Sequence, residues 1–468
     1  MSSLLAALQN SANALDTFEK QIGVTQDNVI NASTPGYVKQ QLDVSAVGFQ
    51  PSAGLYGGVQ SGQIENARSE FAETAVQNEQ MQDGFLSERA NTLQNIQSAF
   101  DITGDSGLSK GINDLFSAFS SWSEAPTDIT QQQGVINAAQ AFVTNANQTA
   151  AELNLNAASV KQEIGVQISA INQLALQIAR INQSDQSNPA AAASNNSTLY
   201  SDLEQLSQSV NFTTVKASDG TTTVLLDGQI PLVIGSKSYP LSLSMVAAGT
   251  NNSPAAPQIL DAGGNNITSQ VTNGKLGGLL SVANGELATL LGDGTQNGSL
   301  NNLITNIATA VNNLLQKGQI DQAGTPGVAL FQVTNDASAA ATLQLNPACV
   351  ASQLAAIDPG PPMVSNGIAN QLSALANNTT TMFGNQSFVQ YYGSMASAVG
   401  GAAGNAATAK TNSDQLLAQA RSLRTQISGV SLDDEAASLV GLQQAYEATS
   451  KVFTTVNQLM EDLLNAVR

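Results

Sequence analysis

Residues 428–467, SGVSLDDEAASLVGLQQAYEATSKVFTTVNQLMEDLLNAV, carry the most regular hydrophobic pattern of the chain. Its members alternate at spacings of three and four residues: Leu439, Leu442, Tyr446, Thr449, Phe453, Val456, Met460 and Leu463. This is the a/d spacing of a coiled-coil seam, so the segment is predicted to be a helix that packs against another helix. A second row, Ala445, Val452 and Leu459, lies beside the seam. It predicts that the helix contacts more than one neighbour.

The beginning of the chain has a matching pattern. The same alternation links Leu4, Leu8, Ser11, Leu15, Phe18, Ile22, Thr25 and Val29. It predicts a helix over residues 3–32. Because a lone helix cannot bury such a stripe, we predict that the two terminal helices pair as a coiled coil. The residues leave two interpretations open: a hairpin that completes one core within the chain, or a pair that then stacks against copies in other subunits.

A tight turn follows the N-terminal helix. In Thr34-Pro35-Gly36-Tyr37, the proline fixes φ at the second turn position and the glycine supplies the positive φ of the third. This combination predicts a type II turn. Residues 38–64 then alternate weakly in hydrophobicity and contain many glycines, which predicts an irregular β-linker rather than a helix.

The middle of the chain predicts long helices interrupted by strands. Helical spacing extends over Ile64–Phe100 and Gln131–Asn182, with a glycine-rich break at Ile102–Gly111 between them. Strands joined by Asp-Gly turns are predicted at Phe212–Lys216, Thr221–Leu226 and Gln229–Ile234. Helical spacing returns at Leu276–Leu291, Leu300–Leu315 and Gln386–Ile427, with short strands around Val328–Leu345. Gly400, Gly401 and Gly404 weaken the prediction that the last of these helices is continuous.

These patterns predict a mainly α protein with inserted β structure. Long N- and C-terminal helices pair as a coiled coil, a bundle of long helices forms a rod domain, and a small β-rich domain lies outside it. The predicted segments are 1–64 (terminal helix plus β-linker, paired with 428–468), 65–190 (rod domain, first part), 191–270 (β-rich insertion), 271–427 (rod domain, second part, with short β segments) and 428–468 (C-terminal helix).

Composition excludes several classes of function. The 468 residues include 16 Lys+Arg and 35 Asp+Glu, a net charge of −19 that disfavours nucleic acids and anionic membrane surfaces. There is no histidine, and Cys349 is the only cysteine, so imidazole bases, thiolate zinc sites and intrachain disulfides are absent. Polar residues interrupt every apolar stretch, so no membrane insertion is predicted. We predict no catalytic residue, no cofactor and no metal site.

Two features of the sequence are also found in enzymes. Gly104-Asp105-Ser106-Gly107 is similar to the nucleophile loop of trypsin-like proteases, but no histidine exists to accept the Ser106 proton. We interpret the string as a loop that ends a helix. A pair of carboxylates could also serve a wall-cleaving glycosidase, and the sequence does not give the spacing that this chemistry requires.

Two stretches near the ends resemble a known family of proteins. Residues 28–40, NVINASTPGYVKQ, resemble the N-terminal signature of flagellar rod, hook and hook-associated proteins. The motif positions are Asn28, Asn31, Thr34, Pro35, Gly36 and Tyr37. Residues 428–467 resemble the C-terminus of the same proteins. In the middle, 275–280 (KLGGLL) and 324–331 (GTPGVALF) resemble the first hook-associated protein family, which lies at the hook-filament junction.

The resemblance implies a structural axial component of the bacterial flagellum, an adaptor that joins hook to filament and is needed for filament assembly and motility. The implied partners are copies of the chain in a helical layer, the hook protein, a second junction protein and through it flagellin, a cytoplasmic export chaperone on the C-terminal helix, and the flagellar export apparatus. The implied location is extracellular, at the junction, reached without a cleaved signal peptide. The expected assembly interface comprises Leu4, Leu8, Leu15, Phe18, Ile22 and Val29 at one end and Leu439, Leu442, Tyr446, Phe453, Val456, Met460 and Leu463 at the other.

Other functions remain as alternatives at this level. A hook or rod protein shares the N-terminal motif, and a flagellin-like protein shares the terminal helices. Outside the flagellum, a secreted adhesin stalk would also use helical ends and an uncharged surface. The wall-cleaving glycosidase is the enzymatic alternative.

Overall fold

A computed structural model describes residues 2–50, 55–100, 106–188, 192–245, 256–293, 295–379 and 383–466. The helices are α1 (Ser2–Asn31), α2 (Glu70–Gln97), α3 (Gly107–Glu124), α4 (Ile129–Ser187), α5 (Ala192–Ser209), α6 (Gly274–Val282), α7 (Ala288–Leu291), α8 (Ser299–Lys317), α9 (Ala339–Thr342), α10 (Gly367–Ala374), α11 (Phe388–Ser428) and α12 (Leu432–Ala466). A π-helical segment, Ala283–Leu287, joins α6 to α7.

The strands are short and antiparallel. They are β1 (Gln40–Ala46), β2 (Phe49–Gln50), β3 (Leu55–Tyr56), β4 (Val59–Asn66), β5 (Phe212–Lys216), β6 (Thr222–Leu226), β7 (Ile230–Ile234), β8 (Lys237–Ser238), β9 (Ser242–Met245), β10 (Pro257–Leu260), β11 (Phe331–Gln332) and β12 (Gln344–Leu345). β5 to β8 form a four-stranded sheet, and the other strands pair as β1 with β4, β2 with β3, β9 with β10 and β11 with β12. The mainly α fold with inserted β structure is therefore confirmed.

The β-linker prediction is confirmed, but its end was placed too early. β4 continues to Asn66 because it pairs with β1, where Ile64 lies opposite Leu42. The next helix, predicted from Ile64, therefore begins at Glu70. Ser69 caps it by accepting a hydrogen bond from the Ala72 N–H at 3.3 Å. An N-terminal cap of this kind fixes where a helix starts.

The predicted glycine-rich break at Ile102–Gly111 is wrong from Gly107 onward. Residues 102–105, which include part of the protease-like string, lie outside the described residues. From Gly107 the chain forms α3, whose buried residues include Leu108, Phe119 and Trp122. Gly111 is tolerated inside the helix because its Cα faces Phe142 of α4, where a side chain would meet the neighbouring backbone at 3.2 Å.

Helix α4 is the longest helix among the described residues. Its 59 residues exceed the predicted Gln131–Asn182 and give a length of about 88 Å at 1.5 Å per residue. Asp128 caps its start by accepting a hydrogen bond from the Thr130 N–H at 2.7 Å. Helices α2, α3, α5 and α6 pack along it. A helix of this length suits the rod that the sequence predicts.

Aromatic side chains join the bundle into one core. Phe116 of α3 stacks on Phe388 of α11 with ring centroids 6.0 Å apart. Phe142 of α4 meets Phe331 of β11 edge to face at 5.6 Å. Cys349 is also buried in this core, and burial raises the pKa of its thiol to about 11. The cysteine is therefore a protonated core residue.

The predicted hairpins are confirmed in the four-stranded sheet. Asp227 and Gly228 both adopt positive φ, 50° and 69°, at the turn between β6 and β7, and Gly220 has φ 85° between β5 and β6. However, the segment 191–270 is not β throughout, since Ala192–Ser209 is helix α5. This helix packs on α2 and α4 and thus belongs to the helical bundle. The division of the chain into five domains stays a prediction.

Helix α11 runs without interruption through Gly400, Gly401 and Gly404. It spans 41 residues and begins with a capping box, in which Ser387 and Gln390 bond to each other's backbone N–H. Gly401 and Gly404 have open space around them, so nothing distorts the helix there. In the part of the chain that the structure describes, no helix is both long and apolar enough to cross a bilayer.

A pair of carboxyl groups links α2 to α11 and makes the stability of the bundle depend on pH. Burial raises the pKa of Asp83, and the hydrogen bond to Asp414 and the charge of Asp414 raise it further. The positive charges of Lys410 and Arg421 offset part of this rise in the pKa. Asp83 Oδ1 is buried with no hydrogen-bond partner among the described residues. An acid whose pKa is raised by folding destabilises the native state at pH values above that pKa.

We therefore expect Asp83→Asn to raise the melting temperature at pH 7, because the amide carries no charge to desolvate and can donate to Asp414. The gain should shrink as the pH falls to about 4, where about half of the unfolded carboxyl groups are already protonated. Thermal unfolding of both chains between pH 4 and 7 measures it. Asp114→Asn is the control, since Asp114 is a half-exposed partner of Lys110 and should change little. Equal shifts for the two variants would contradict the assignment.

Candidate assembly interface

The two terminal helices lie against each other. Helix α1 packs against α12. A cleft of about 250 Å³ is lined by Asn28 and Glu435 and, seven residues from each of them, by Gln21 of α1 and Leu442 of α12. Because α1 runs towards Asn28 and α12 runs away from Glu435, the two helices are antiparallel. Their supercoiling as a coiled coil stays a prediction.

Most of the predicted interface residues are half-buried on the two paired helices. Those that are half-buried are Leu4, Leu8, Leu15, Phe18 and Ile22 on α1 and Leu439, Leu442, Phe453, Val456 and Met460 on α12. Tyr446 and Leu463 are exposed at the edge of the contact. The buried polar residue Thr17 satisfies its hydroxyl within α1, by donating to the Asn13 carbonyl at 2.8 Å. The role of all these residues between subunits stays a prediction.

Val29 is exposed to about the same extent as Tyr446 and Leu463, at 39 %. At this end of α1 the buried residues are Val24, Thr25 and Asn28 instead. A straight helix drifts relative to a seven-residue repeat, so the last heptad of a long seam faces a different direction. Here β1 and the start of α12 cover the side that holds Asn28.

Asn28 is the centre of a buried polar node. Its side chain is 1 % exposed and makes four hydrogen bonds. Its amide donates to the Gln40 carbonyl at 2.9 Å and to Glu435 Oε2 at 3.0 Å. Its Oδ1 accepts from the Gln40 N–H at 2.8 Å and from the Tyr37 hydroxyl at 2.9 Å. One side chain therefore connects the end of α1, the turn, β1 and α12, and its hydrogen-bonding capacity is fully used.

Glu435, near the start of the C-terminal helix α12, is the partner of Asn28 in this node. Its Oε1 pairs with Lys39 Nζ at 2.8 Å, and its carboxylate lies in the first turn of α12, where negative charge is favourable. Burial raises the pKa of Tyr37 to about 12, with the charges of Asp27 and Glu435 adding to it. The tyrosine therefore stays a hydroxyl that donates to Asn28. The sequence analysis missed Glu435 and Lys39 because nothing local distinguishes them from surface charges.

The turn motif is built as the sequence predicts. Gly36 has φ 74°, and the Tyr37 N–H donates to the Thr34 carbonyl at 3.1 Å. A Cβ on Gly36 would lie 2.3 Å from the Ser197 carbonyl oxygen of α5. The glycine is thus required twice, for its φ and for its contact with the bundle. Asn31 is peripheral: its amide donates to the Asp27 carbonyl of its own helix at 3.0 Å.

A second polar cluster connects the turn with the bundle. Arg68, between β4 and α2, donates to the Gly36 carbonyl at 2.6 Å and pairs with Glu73. Glu73 also pairs with Arg424 of α11 at 3.3 Å, and Arg424 pairs with Glu204 of α5 at 2.7 Å. This cluster was not predicted, since Glu73 and its partner Arg424 are 351 residues apart in the chain.

Most of the outer row of α12 is left uncovered by the residues that the structure describes. Val452 is 54 % exposed and Leu459 is 51 % exposed, and Ala445 is half-buried beside them. Leu463 and Leu464 extend this apolar surface towards the end of the helix. Contiguous exposed apolar residues of this kind mark surfaces that bind another protein.

The matches to known families agree with this architecture. The sequence model described as flagellar hook-associated protein FlgK helical domain matches residues 93–331, just over half of the chain. The chain belongs to the FlgK family of flagellar hook-associated proteins. The model described as flagellar basal body rod FlgEFG protein C-terminal matches residues 424–466, which are essentially α12 and the end of α11.

Full-length relatives and a solved structure are similar to the chain as well. Flagellar hook-associated protein 1 of Bacillus subtilis is 24% identical, over 100% of this chain and 99% of that protein. Flagellar hook-associated protein 1 of Escherichia coli K12 is 23% identical, over 99% of this chain and 100% of that protein. The flagellar hook junction protein FlgK from Burkholderia pseudomallei has a TM-score of 0.64 at 16% identity, covering 75% of this chain and 100% of that chain, and so shares the fold.

FlgK membership confirms the resemblance drawn from the two chain ends and from residues 275–280 and 324–331. The protein is a structural, hook-associated component of the flagellum, and it associates with other flagellar components. The family is a structural one, which gives no support to the glycosidase or the adhesin. The FlgEFG match at α12 explains why hook and rod proteins were close alternatives.

Proposed function

We propose that this protein forms a helical layer between hook and filament, joins the two, and is required for filament assembly and motility. The observation that carries the proposal is the unpartnered apolar row of α12, beside the contact with α1. A single chain leaves this row in water, whereas a neighbouring copy would bury it. One helix pair thus has an inner contact within the chain and an outer surface for other subunits.

The outer contact has to be heterologous. A head-to-tail contact with a fixed rotation and rise builds a helical layer, whereas a self-complementary contact closes into a dimer. In such a layer the partners would be copies of this chain laterally, the hook protein on one side, and a second junction protein, followed by flagellin, on the other. The export apparatus would deliver the chain without a cleaved signal peptide, and a cytoplasmic chaperone would cover the α12 row until assembly.

A deletion strain tests the proposal. Electron micrographs of the mutant cells, with hooks and filaments scored separately, should show intact hooks without attached filaments. Filaments on normal hooks would overturn the junction role. Loss of the hooks themselves would instead indicate a hook or rod protein, and motile cells with an adhesion defect would indicate an adhesin.

Val452→Asp tests the outer row directly. The side chain is already exposed in the isolated chain, so the carboxylate should leave the melting temperature and the α1–α12 contact unchanged. Across a subunit interface it would be buried without a partner, which costs several kcal/mol and should prevent filament attachment. Complementation of the deletion strain measures attachment. Gln443→Asp is the control, because residue 443 is nine residues, or two and a half turns, away and points to the opposite side of α12. Attachment by the Val452 variant at the control level would contradict the outer-row assignment.

A further inference from the structure

The terminal helices connect to the bundle through short segments that meet at one place. The terminal body consists of α1, α12 and the ribbon β1–β4, and the rod body consists of α2 to α11 with the inserted strands. Two connections cross between them, residues 67–69 and 429–431, and residues 32–39, which join α1 to β1, lie beside these connections. The Ala67 N–H donates to the Lys39 carbonyl at 2.8 Å. Both segments also bond to Ser428, the last residue of α11, since the Lys39 N–H donates to its carbonyl at 3.0 Å and the Ser69 N–H donates to its Oγ at 3.1 Å.

Arg68 lies in the connection 67–69 and contacts both bodies. One Nη atom donates to the Gly36 carbonyl at 2.6 Å, in the segment that follows α1. Nε donates to Asn196 Oδ1 of α5 at 2.9 Å, and the guanidinium lies 3.9 Å from the centroid of the Tyr200 ring on the same helix. The other Nη atom pairs with Glu73 of α2. The side chain is 3 % exposed, so these contacts replace its hydration almost completely.

The contacts of Arg68 require the shape of an arginine side chain. A planar guanidinium donates in several fixed directions and stacks on an aromatic ring at the same time, which a lysine ammonium does not do. Without Arg68, the two carboxylates of Glu73 and Glu204 are still balanced by two cations, because Arg424 pairs with both of them and Arg421 pairs with Glu204. The contacts to Gly36, Asn196 and Tyr200 therefore hold position rather than balance charge.

We propose that Arg68 is the positioning residue that fixes the orientation of the terminal body on the rod body. The inference rests on the proposed function, because a layer of subunits requires both bodies of each copy to meet their neighbours at once. Without the Arg68 contacts, only the short connections 67–69 and 429–431 and their backbone hydrogen bonds hold the two folded bodies together. The terminal helices then remain paired but sample a range of tilts.

Small tilts have large consequences because α12 is a long lever. Its 35 residues extend roughly 52 Å from the joint. A tilt of about 10° displaces residue 457, near 38 Å along the helix, by about 7 Å. Interfaces between subunits are packed to much finer tolerances, so such a chain should enter the layer rarely.

Pairs of nitroxide labels in the full-length chain measure the tilt. The labels are placed in a Cys349→Ala background at exposed sites. One pair, at Gln177 on α4 and Asn457 on α12, reports the distance between the bodies. The other pair, at Asn13 and Asn457, reports a distance within the terminal body. We expect Arg68→Ala and Arg68→Lys to broaden the first distribution by about 7 Å or more and to leave the second unchanged. A merely stabilising role would lower the melting temperature without widening the distance between the bodies.

Arg89→Ala is the matched control, because Arg89 also belongs to the α2 region and pairs with Glu286 at 2.6 Å and Ser281 at 2.6 Å, away from the joint. If Arg68→Ala does not fold, Arg68→Lys and Asn196→Ala each remove only part of the Arg68 contacts. A distribution as narrow as that of the parent chain in all folded variants overturns the inference. Broadened distances together with normal filament attachment would support the positioning role of Arg68 but refute its link to the proposed function.

Discussion

A Phe453→Asp chain is expected to attach no filaments to hooks, while its rod body remains folded. Phe453 is half-buried in the seam between α12 and α1, and it lies within the terminal body, away from the aromatic core of the bundle. Removing the ring loses roughly 2 kcal/mol of apolar burial, and desolvating a carboxylate there costs several more. The helix pair has little further burial to offset this, because most of its seam residues are only half-buried.

The expected result separates local from global damage. In the variant, amide hydrogen exchange of α1 and α12 should approach that of an unfolded chain, whereas exchange in α3 and α4 should be unchanged. Complementation of a deletion strain should then show hooks without filaments. Thr454→Asp is the control, since it adds the same charge one residue later at an exposed position and should behave as the parent chain does. Normal attachment by the Phe453 variant would refute the assignment of the seam.

Phe453→Asp and Val452→Asp are adjacent substitutions with different expected mechanisms. The first destroys the pairing within a chain, and the second leaves the pair intact and blocks contact between chains. If both abolish attachment but only the first raises exchange in α12, the inner and outer surfaces of one helix are distinguished. This distinction is what a structural adaptor requires, because its terminal helices have to be formed and have to bind neighbours.

The periodic parts of the fold were predictable from the sequence. α1 and α12 follow from the a/d spacing of apolar residues, and strands β5, β6 and β7 follow from alternation and two Asp-Gly turns. These signals are local, because a helix or hairpin sets its own hydrophobic period.

The parts that failed depend on partners far away in the chain. α5 has a weak pattern of its own and becomes helical by packing on α2 and α4. β4 extends past the predicted helix start because β1 supplies its hydrogen bonds. Glu435 and Arg68 resemble ordinary surface charges in the sequence, yet they are buried by segments up to 407 residues away. The burial of a polar side chain follows from tertiary contacts, and no local periodicity encodes it.

Asn28 shows how a motif and a distant residue combine, since its position was predicted and its partner was not. The motif residues Asn28 and Tyr37 supply one half of the node, and Glu435 of α12 supplies the other half. The node thus explains why the turn directly follows α1. It holds the first strand and the C-terminal helix against the end of the N-terminal helix.

Asn28→Ala should therefore destabilise the terminal body by about 3 kcal/mol, because it leaves the Gln40 backbone groups and the buried Glu435 carboxylate without their partners. The loss should appear as exchange of amides in α1 and the first turns of α12 that is faster by about two orders of magnitude. Thermal unfolding of the rod body should not change. Filament attachment should fall with the stability of the helix pair.

Asn31→Ala is the control within the same motif. Asn31 is half-exposed and bonds chiefly to the Asp27 carbonyl of its own helix, so its removal should cost about 0.5 kcal/mol. Glu435→Gln adds a third comparison, since the amide keeps a partner for Asn28 but loses the ion pair with Lys39, and its effect should fall between the other two. If all three variants exchange at the same rate, the buried node does not hold the terminal helices together, and the apolar seam alone does so.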